Sequence, residues 1–221
     1  MFIIAHANIS KEIMIILLSK NKAIIRQYIK PGSTIGFIPT ASELDNDRWY
    51  MKEDRNDLVQ MDYKLVIIDI TNESKQTILN TLNSVGVLFV AGGNSFYLLQ
   101  ALKDKDILHE LTDFARKNTY IGTSAGACIA CPTIDYVKGL DDITQAPHLN
   151  DYTAMNLVNF YILPHYDSKE KYTKLANEIE YAYKNRTFIK LSDNQAIIIH
   201  NPTDYKIVDT DWFLQKQPKI I

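Results

Sequence analysis

The chain has 221 residues, of which 46% are hydrophobic, so it can bury one substantial core, and we expect a single domain over residues 1–221. Its 24 Lys and Arg residues nearly balance its 26 Asp and Glu residues, which gives a net charge of -2. No run of five like charges occurs, and this argues against a nucleic-acid-binding surface and an acidic tail. The expected partner is therefore a small molecule or a peptide.

The N-terminal segment resembles neither an export signal nor a membrane anchor. Residues Met1–Asn8 lack a cationic region. The apolar stretch Ile13–Leu18 is far shorter than the roughly 18 residues that a membrane-spanning helix needs. We therefore expect a soluble, cytoplasmic protein with no membrane partner.

Short runs rich in Val, Ile and Phe alternate with helical periodicity, which predicts an α/β fold with a mostly parallel sheet. The predicted strands are Phe2–Ala5, Thr34–Ile38, Leu65–Asp69, Val85–Ala91, Tyr120–Gly122 and Phe160–Leu163. The predicted helices are Lys11–Ile29, Asp45–Met61, Ser74–Leu82, Ser95–Leu102, Ile107–Lys117 and Lys169–Lys184. Three further short strands, separated by turn signals, predict a C-terminal β-meander or hairpin: Phe188–Leu191, Ala196–His200 and Lys206–Val208.

The two cysteines, Cys128 and Cys131, have the C-x-x-C spacing of redox pairs and of half-sites for zinc. Redox pairs lie at a helix N-terminus, whereas this pair falls near the end of a short predicted helix closed by Pro132. No second pair of ligands has a spacing that would complete a zinc site. We therefore expect two buried, reduced thiols, and neither a metal nor an organic cofactor.

The segment Gly122–Gly126 reads Gly-Thr-Ser-Ala-Gly and fits the G-x-S-x-G pattern of a nucleophile elbow. It follows a predicted strand and leads into a helix, which is the context that such an elbow requires. This turn would expose the Ser124 hydroxyl above the sheet edge and direct the N–H of Ala125 towards a developing oxyanion. The alternative is a tight turn whose serine merely caps the helix. We predict that Ser124 is a nucleophile.

A second glycine turn, Ala91-Gly92-Gly93-Asn94, ends the most apolar predicted strand. Ligands bind at the carboxyl ends of parallel strands, so this turn should open on the same edge as the elbow. We expect the N–H of Gly93 to complete an oxyanion hole with that of Ala125. An ordinary strand-to-helix turn is the alternative, and neither G-x-G-x-x-G nor a Walker lysine accompanies it.

A nucleophilic serine needs a base, and the histidines are His6, His109, His148, His165 and His200. His165 follows the apolar strand Phe160–Leu163 and should emerge at a carboxyl strand end, so it is the predicted base. His148, in the aperiodic segment 135–159, is the alternative. The third member would be a carboxylate that orients the imidazole. Sequence spacing does not choose among the candidates Asp135, Asp141, Asp142, Asp151 and Asp167.

These residues resemble the peptidase E family of serine dipeptidases, the aspartyl dipeptidases to which cyanophycinases are distantly similar. The resemblance rests on four stretches: Phe89–Phe96, Tyr120–Ala127, Ala130–Ile134 and Leu163–Tyr166. It implies a three-layer α/β fold similar to that of class I glutamine amidotransferases. It also implies that Ser124 replaces their cysteine nucleophile, that His165 is the base, and that the acid lies between them, where Asp142 matches best and Asp141 is one step away.

The resemblance implies that the protein hydrolyses small peptides and that it recognises the side chain of an N-terminal aspartate in them. Recognition of that carboxylate would need a cation, which Lys138, Lys169 or Arg186 could supply. Two alternatives remain open. One is a related serine amidase of the cyanophycinase type, and the other is a catalytically silent protein that binds a metabolite or a peptide.

Overall fold

The computed structural model describes residues 14–45, 49–201 and 204–210. The strands are β1 Met14–Leu18, β2 Thr34–Ile38, β3 Lys64–Ile67, β4 Val87–Val90, β5 Thr119–Thr123, β6 Tyr161–Tyr166, β7 Phe188–Ser192, β8 Gln195–Asn201 and β9 Asp204–Asp209. The helices are α1 Ile25–Tyr28, α2 Trp49–Gln60, α3 Lys75–Ser84, α4 Ser95–Asp104, α5 Leu108–Ala115, α6 Ala125–Cys128 and α7 Glu170–Ala182. In this part of the chain, no helix is long and apolar enough to cross a membrane.

The main sheet has seven strands in the order β3-β2-β4-β5-β1-β8-β9. The first five of these run parallel, and β8 and β9 are antiparallel to their neighbours. The carboxyl ends of β4, β5 and β1 are therefore adjacent at one edge of the sheet. The sequence places the glycine turn, Ser124 and Ser19 immediately after these three strands.

Helices cover both faces of the sheet, and the residues of β1 show why. Side chains alternate between the faces of a strand, so Ile15 and Leu17 join one buried cluster while Ile16 and Leu18 join another. The first cluster includes residues of α3 to α7, and the second includes residues of α1 and α2. The predicted three-layer α/β fold is confirmed.

The prediction of a helix over Lys11–Ile29 is wrong. Within that range, Met14–Leu18 forms β1, which pairs with β5 and β8, and only Ile25–Tyr28 is helical. A short, continuously apolar run that is buried on both faces has no periodicity to separate a strand from a helix. The predicted strand Phe2–Ala5 lies outside the described residues.

The C-terminal strands confirm a hairpin but not a single meander. β8 and β9 form the antiparallel hairpin, whereas β7 pairs in parallel with β6 in a separate two-stranded sheet. The turn between β7 and β8 lies close to the end of β1, because the N–H of Asn21 donates to the carbonyl of Asp193 at 2.9 Å. This contact brings a distant part of the sequence to the edge where the elbow opens.

Candidate active site

Ser124 lies in a sharp turn between β5 and α6, as the elbow pattern predicts. Its backbone has φ 48° and ψ -107°, a conformation that residues other than glycine rarely adopt. The Ser124 N–H donates to the carbonyl of Leu18 at 2.9 Å, which fixes the turn to the end of β1. A side chain at Gly122 would collide with the Gly126 backbone, and one at Gly126 would collide with the Val90 carbonyl. The two glycines thus allow strand and helix to approach closely enough to form the turn.

His165 lies beside the serine, with its Nε2 atom 3.0 Å from Ser124 Oγ. The pairing of β6 with β7 is irregular between Leu163 and Tyr166, and His165 itself has φ 61°. This irregularity directs the imidazole out of the strand towards the elbow. The alternative base, His148, is exposed and donates its backbone N–H to Gln100.

The carboxylate that contacts this histidine is Asp193, in the turn between β7 and β8. Its Oδ1 atom lies 2.7 Å from His165 Nδ1. Partial burial acts to raise the pKa of the Asp193 carboxyl. Hydrogen bonds from His165 and Ser19, together with the positive charge of Lys20, outweigh burial and lower this pKa. The ionised carboxylate accepts the Nδ1 proton, which leaves the Nε2 lone pair facing Ser124.

The structure does not bring the carboxylate of Asp142 to His165, although the resemblance implied that Asp142 would orient the histidine. Asp142 is exposed, and its Oδ1 atom accepts hydrogen bonds from Thr144 N at 2.9 Å and from Thr144 Oγ1 at 2.7 Å. These bonds lower the pKa of the Asp142 carboxyl and cap the 3-10 turn Ile143–Gln145. In the sequence, Asp193 belongs to an Asp-Asn pair in one of the turns between the predicted C-terminal strands, and nothing connects that turn to the histidine.

The other sequence candidates for the acid bind different partners. Asp135 forms a bidentate ion pair with Arg186. The Oδ2 atom of Asp151 lies 2.6 Å from Lys103 Nζ. Asp167 is exposed beside Thr173. Asp141 lies in the wall of the active-site cavity, where its Oδ2 atom accepts from Ser95 N at 2.8 Å and burial raises its pKa.

The glycine turn after β4 lies against the elbow, since a methyl group on Gly92 would be 3.3 Å from Ser124 Cβ. Gly93 has φ 137°, and a side chain there would collide with the Ala41 carbonyl. The turn therefore requires glycine at position 93. The Asn94 N–H donates to the Ala41 carbonyl at 2.7 Å and holds the turn in place.

The two N–H groups predicted to form an oxyanion hole belong to Gly93, in the glycine turn, and to Ala125, in the elbow. Within residues 14–45, 49–201 and 204–210, neither group donates to another protein atom. Gly93 lines the same cavity as Ser124 and His165. Ala125 is the first residue of α6, where N–H groups have no partner within the helix.

A family model for peptidase family S51 matches residues 1–206. The chain belongs to peptidase family S51. It is therefore a serine-type peptidase at the level of its family, which confirms the resemblance inferred from the sequence.

Individual relatives agree with this assignment. An uncharacterized peptidase from Pasteurella multocida is 37% identical over 174 residues, which cover 78% of this chain and 84% of that protein. Peptidase E from Nostoc is 32% identical over 133 residues, covering 60% of this chain and 52% of that one. The crystal structure of a protein from Listeria monocytogenes that is described as a peptidase E has a TM-score of 0.79 and is 30% identical. The match covers 89% of this chain and 98% of that chain.

A buried ion pair lies behind the glycine turn of this S51 peptidase. Lys22 Nζ contacts Asp54 Oδ1 at 2.8 Å and Asp57 Oδ2 at 3.0 Å, and the side chains of Lys22 and Asp54 are almost fully buried. Burial favours the neutral amine, but the two carboxylates outweigh it and raise the pKa of Lys22. The Gly92 N–H donates to Asp54 Oδ2 at 3.3 Å, so this ion pair is hydrogen-bonded to the glycine turn and stabilises it.

The active-site cavity has a volume of about 390 Å³, which is within the usual range for small-molecule sites. Charged side chains in its wall include Lys20, Lys169, Asp45, Glu53 and Asp141. The centroid of the Tyr172 ring lies 5.6 Å from that of the His165 ring. The cavity of this S51 peptidase is thus small and rich in charge.

The two cysteines are buried and form no disulfide, as the sequence predicts. Burial raises the pKa of the Cys131 thiol to about 11 and raises that of Cys128 well above its usual value. Both thiols therefore stay protonated at neutral pH. A protonated thiol is a poor nucleophile, which argues against a nucleophilic role for either cysteine.

Proposed function

We propose that this S51 peptidase hydrolyses small peptides, dipeptides among them, by acyl transfer through Ser124, His165 and Asp193. The observation that carries the proposal is the continuous chain of contacts at the elbow. Ser124 Oγ lies 3.0 Å from His165 Nε2, and His165 Nδ1 lies 2.7 Å from Asp193 Oδ1. Both distances are those of hydrogen bonds, and their order is the one that activates a serine.

In the proposed reaction, Ser124 Oγ attacks the scissile carbonyl while His165 Nε2 removes its proton. His165 then transfers that proton to the leaving amine, and a water molecule activated by the same imidazole hydrolyses the acyl-enzyme. Asp193 stabilises the imidazolium that forms in each step. The N–H groups of Gly93 and Ala125 stabilise the oxyanion, with roughly 3–4 kcal/mol from each donor.

Asp141 supports a substrate with a free amino terminus. Its carboxylate lines the cavity beside the catalytic residues, and one of its oxygens already accepts the Ser95 N–H. A partly buried carboxylate such as that of Asp141 is best stabilised by a cation, and the α-ammonium group of a short peptide supplies one. Binding of that group in a small cavity would limit the substrate to a few residues.

Lys169 is the cation that we propose for an acidic first side chain. Of the three cations considered from the sequence, only Lys169 lines the cavity. Lys138 lies over the ring of Tyr152, 5.0 Å from its centroid, and Arg186 is paired with Asp135. These arrangements leave Lys138 and Arg186 with structural partners away from the nucleophile.

A substrate panel tests the proposal. The purified enzyme is assayed with Asp-Leu, Asn-Leu, Ala-Leu, N-acetyl-Asp-Leu and a β-linked Asp-Arg dipeptide, and Ser124→Ala is assayed alongside. We expect cleavage of Asp-Leu, little cleavage of the acetylated peptide, and no activity in the variant. Preference for the β-linked peptide would instead identify an amidase of the cyanophycinase type, and turnover by Ser124→Ala would refute the proposed nucleophile.

Lys169→Met and Lys138→Met test the substrate assignment as a matched pair. Lys169→Met should raise KM for Asp-Leu about tenfold or more, which is the order of one lost charge-assisted hydrogen bond, and leave KM for Ala-Leu nearly unchanged. Lys138→Met should affect neither substrate. Equal effects of the two variants would exclude Lys169 as the recognition residue.

A further inference from the structure

Ser19, the residue immediately after β1, contacts both the base and the acid of the site. Its side chain is almost fully buried, with 1% of the residue exposed. Its Oγ atom lies 2.9 Å from Asp193 Oδ1 and accepts the backbone N–H of His165 at 2.7 Å. One hydroxyl group therefore joins a turn after β7 to the irregular part of β6.

Among the residues that the structure describes, the proton of this hydroxyl has one suitable acceptor. An ionised carboxylate has no proton to donate, so the hydroxyl must donate to Asp193. Ser19 Oγ is also 3.4 Å from His165 Nδ1, but that nitrogen lies 2.7 Å from the same carboxylate oxygen and must itself carry a proton there. With the Ser19 proton on Asp193, Nδ1 is the donor and Nε2 is left to accept the proton of Ser124.

The hydroxyl also restrains two groups that would otherwise have freedom to move. The side chain of Asp193 is 31% exposed and lies in a turn, so rotation into solvent would remove it from the imidazole. His165 has a left-handed backbone conformation with φ 61°, and the bond from its N–H to Ser19 helps to hold it there. The neighbouring Leu18 carbonyl accepts the Ser124 N–H, so the last residue of β1 and the residue after it together contact all three members of the site.

We propose that Ser19 is a positioning residue that acts through Asp193 and fixes the tautomer and orientation of His165. This inference rests on the proposed function, because it presupposes that the three residues act as a unit. Ser19 does not touch the reacting atoms. Its removal should therefore slow the chemical step and leave substrate binding largely intact.

The test compares Ser19→Ala and Ser19→Thr with Thr112→Val, which removes a buried hydroxyl that donates to the Leu108 carbonyl within α5. For each folded variant, kcat, KM and the rate of Ser124 labelling by a fluorophosphonate are measured. We expect Ser19→Ala to lower kcat and the labelling rate about 10- to 100-fold while KM changes less than threefold. Ser19→Thr keeps the hydroxyl and should recover activity, and Thr112→Val should match the wild type.

A double variant separates positioning from a general structural effect. If Ser19 acts through Asp193, then Ser19→Ala should cost less than threefold further in a protein that already carries Asp193→Asn. Full additivity would overturn the proposal, as would a Ser19→Ala enzyme with kcat within threefold of the wild type. Should Ser19→Ala fail to fold, Ser19→Cys preserves the volume and is judged by the same limits. Turnover by Ser124→Ala would refute the proposed function itself, whereas an inactive Ser124→Ala beside a normal Ser19→Ala would refute only the role of Ser19.

Discussion

Replacement of Asp193 by asparagine keeps the shape of the side chain and removes its charge. In the proposed reaction, the imidazolium of His165 and the carboxylate of Asp193 form a pair whose nearest atoms are 2.7 Å apart, and we take about 4 Å as the separation of two such delocalised charges. At an effective dielectric constant of about 20, such a pair is stabilised by about 4 kcal/mol, which corresponds to about 10³ in rate. Solvent reaches 31% of the Asp193 side chain and weakens this interaction. We therefore expect kcat/KM to fall by 10²- to 10³-fold, or roughly 3–4 kcal/mol in activation free energy.

The matched control is Asp142→Asn, since Asp142 is an exposed aspartate whose carboxylate binds only Thr144 among the described residues. Its loss should leave kcat/KM within threefold of the wild type. Both variants are assayed with the best dipeptide of the panel, and circular dichroism confirms that they are folded. An active Asp193→Asn would show that the carboxylate beside His165 does not assist the reaction. A severely impaired Asp142→Asn would return the acid to the position that the sequence favoured.

Three further perturbations follow from the same geometry. Ser124→Ala should lower turnover by about 10⁴-fold or more while the melting temperature changes by only a few degrees, and steady-state kinetics with differential scanning fluorimetry would measure both. In contrast, a Cys128→Ala/Cys131→Ala double variant should keep kcat within threefold, because both thiols are buried and protonated; loss of activity in a folded protein would contradict this. Gly93→Ala should lower both the melting temperature and kcat/KM, the latter by about 10²-fold, because its φ of 137° and the Ala41 carbonyl exclude a side chain. A Gly93→Ala enzyme with normal kinetics would remove that N–H from the oxyanion hole.

The parts of the site that local sequence determines could be predicted. The pattern around Ser124 specifies its own turn, because Gly122 and Gly126 are required where strand and helix meet. His165 could be placed because it closes an apolar strand, and the carboxyl ends of strands are where ligands bind. The α/β class followed in the same way from alternating strand and helix signals.

The acid that we propose, Asp193, could not be predicted from the sequence, because its contact with His165 is a tertiary one. Asp193 lies in the turn that follows β7. Its backbone carbonyl accepts the N–H of Asn21, which lies near the end of β1, and this bond helps to bring its carboxylate to His165. That arrangement depends on how β7 pairs with β6 and how β8 pairs with β1, and neither pairing leaves a local signal. β1 was missed for a related reason, since a run of buried apolar residues carries no period.

The left-handed backbone conformations of Ser124 and His165 set thermal stability against activity in this enzyme. Conformations of this kind cost of order 1–3 kcal/mol each, which is a sizeable fraction of the net stability of a small domain. Substitutions that relax them would make the protein more resistant to heat while destroying its site. Selection of variants by thermostability alone should therefore enrich changes at these two positions. A screen for a more thermostable enzyme needs to measure activity from its first round.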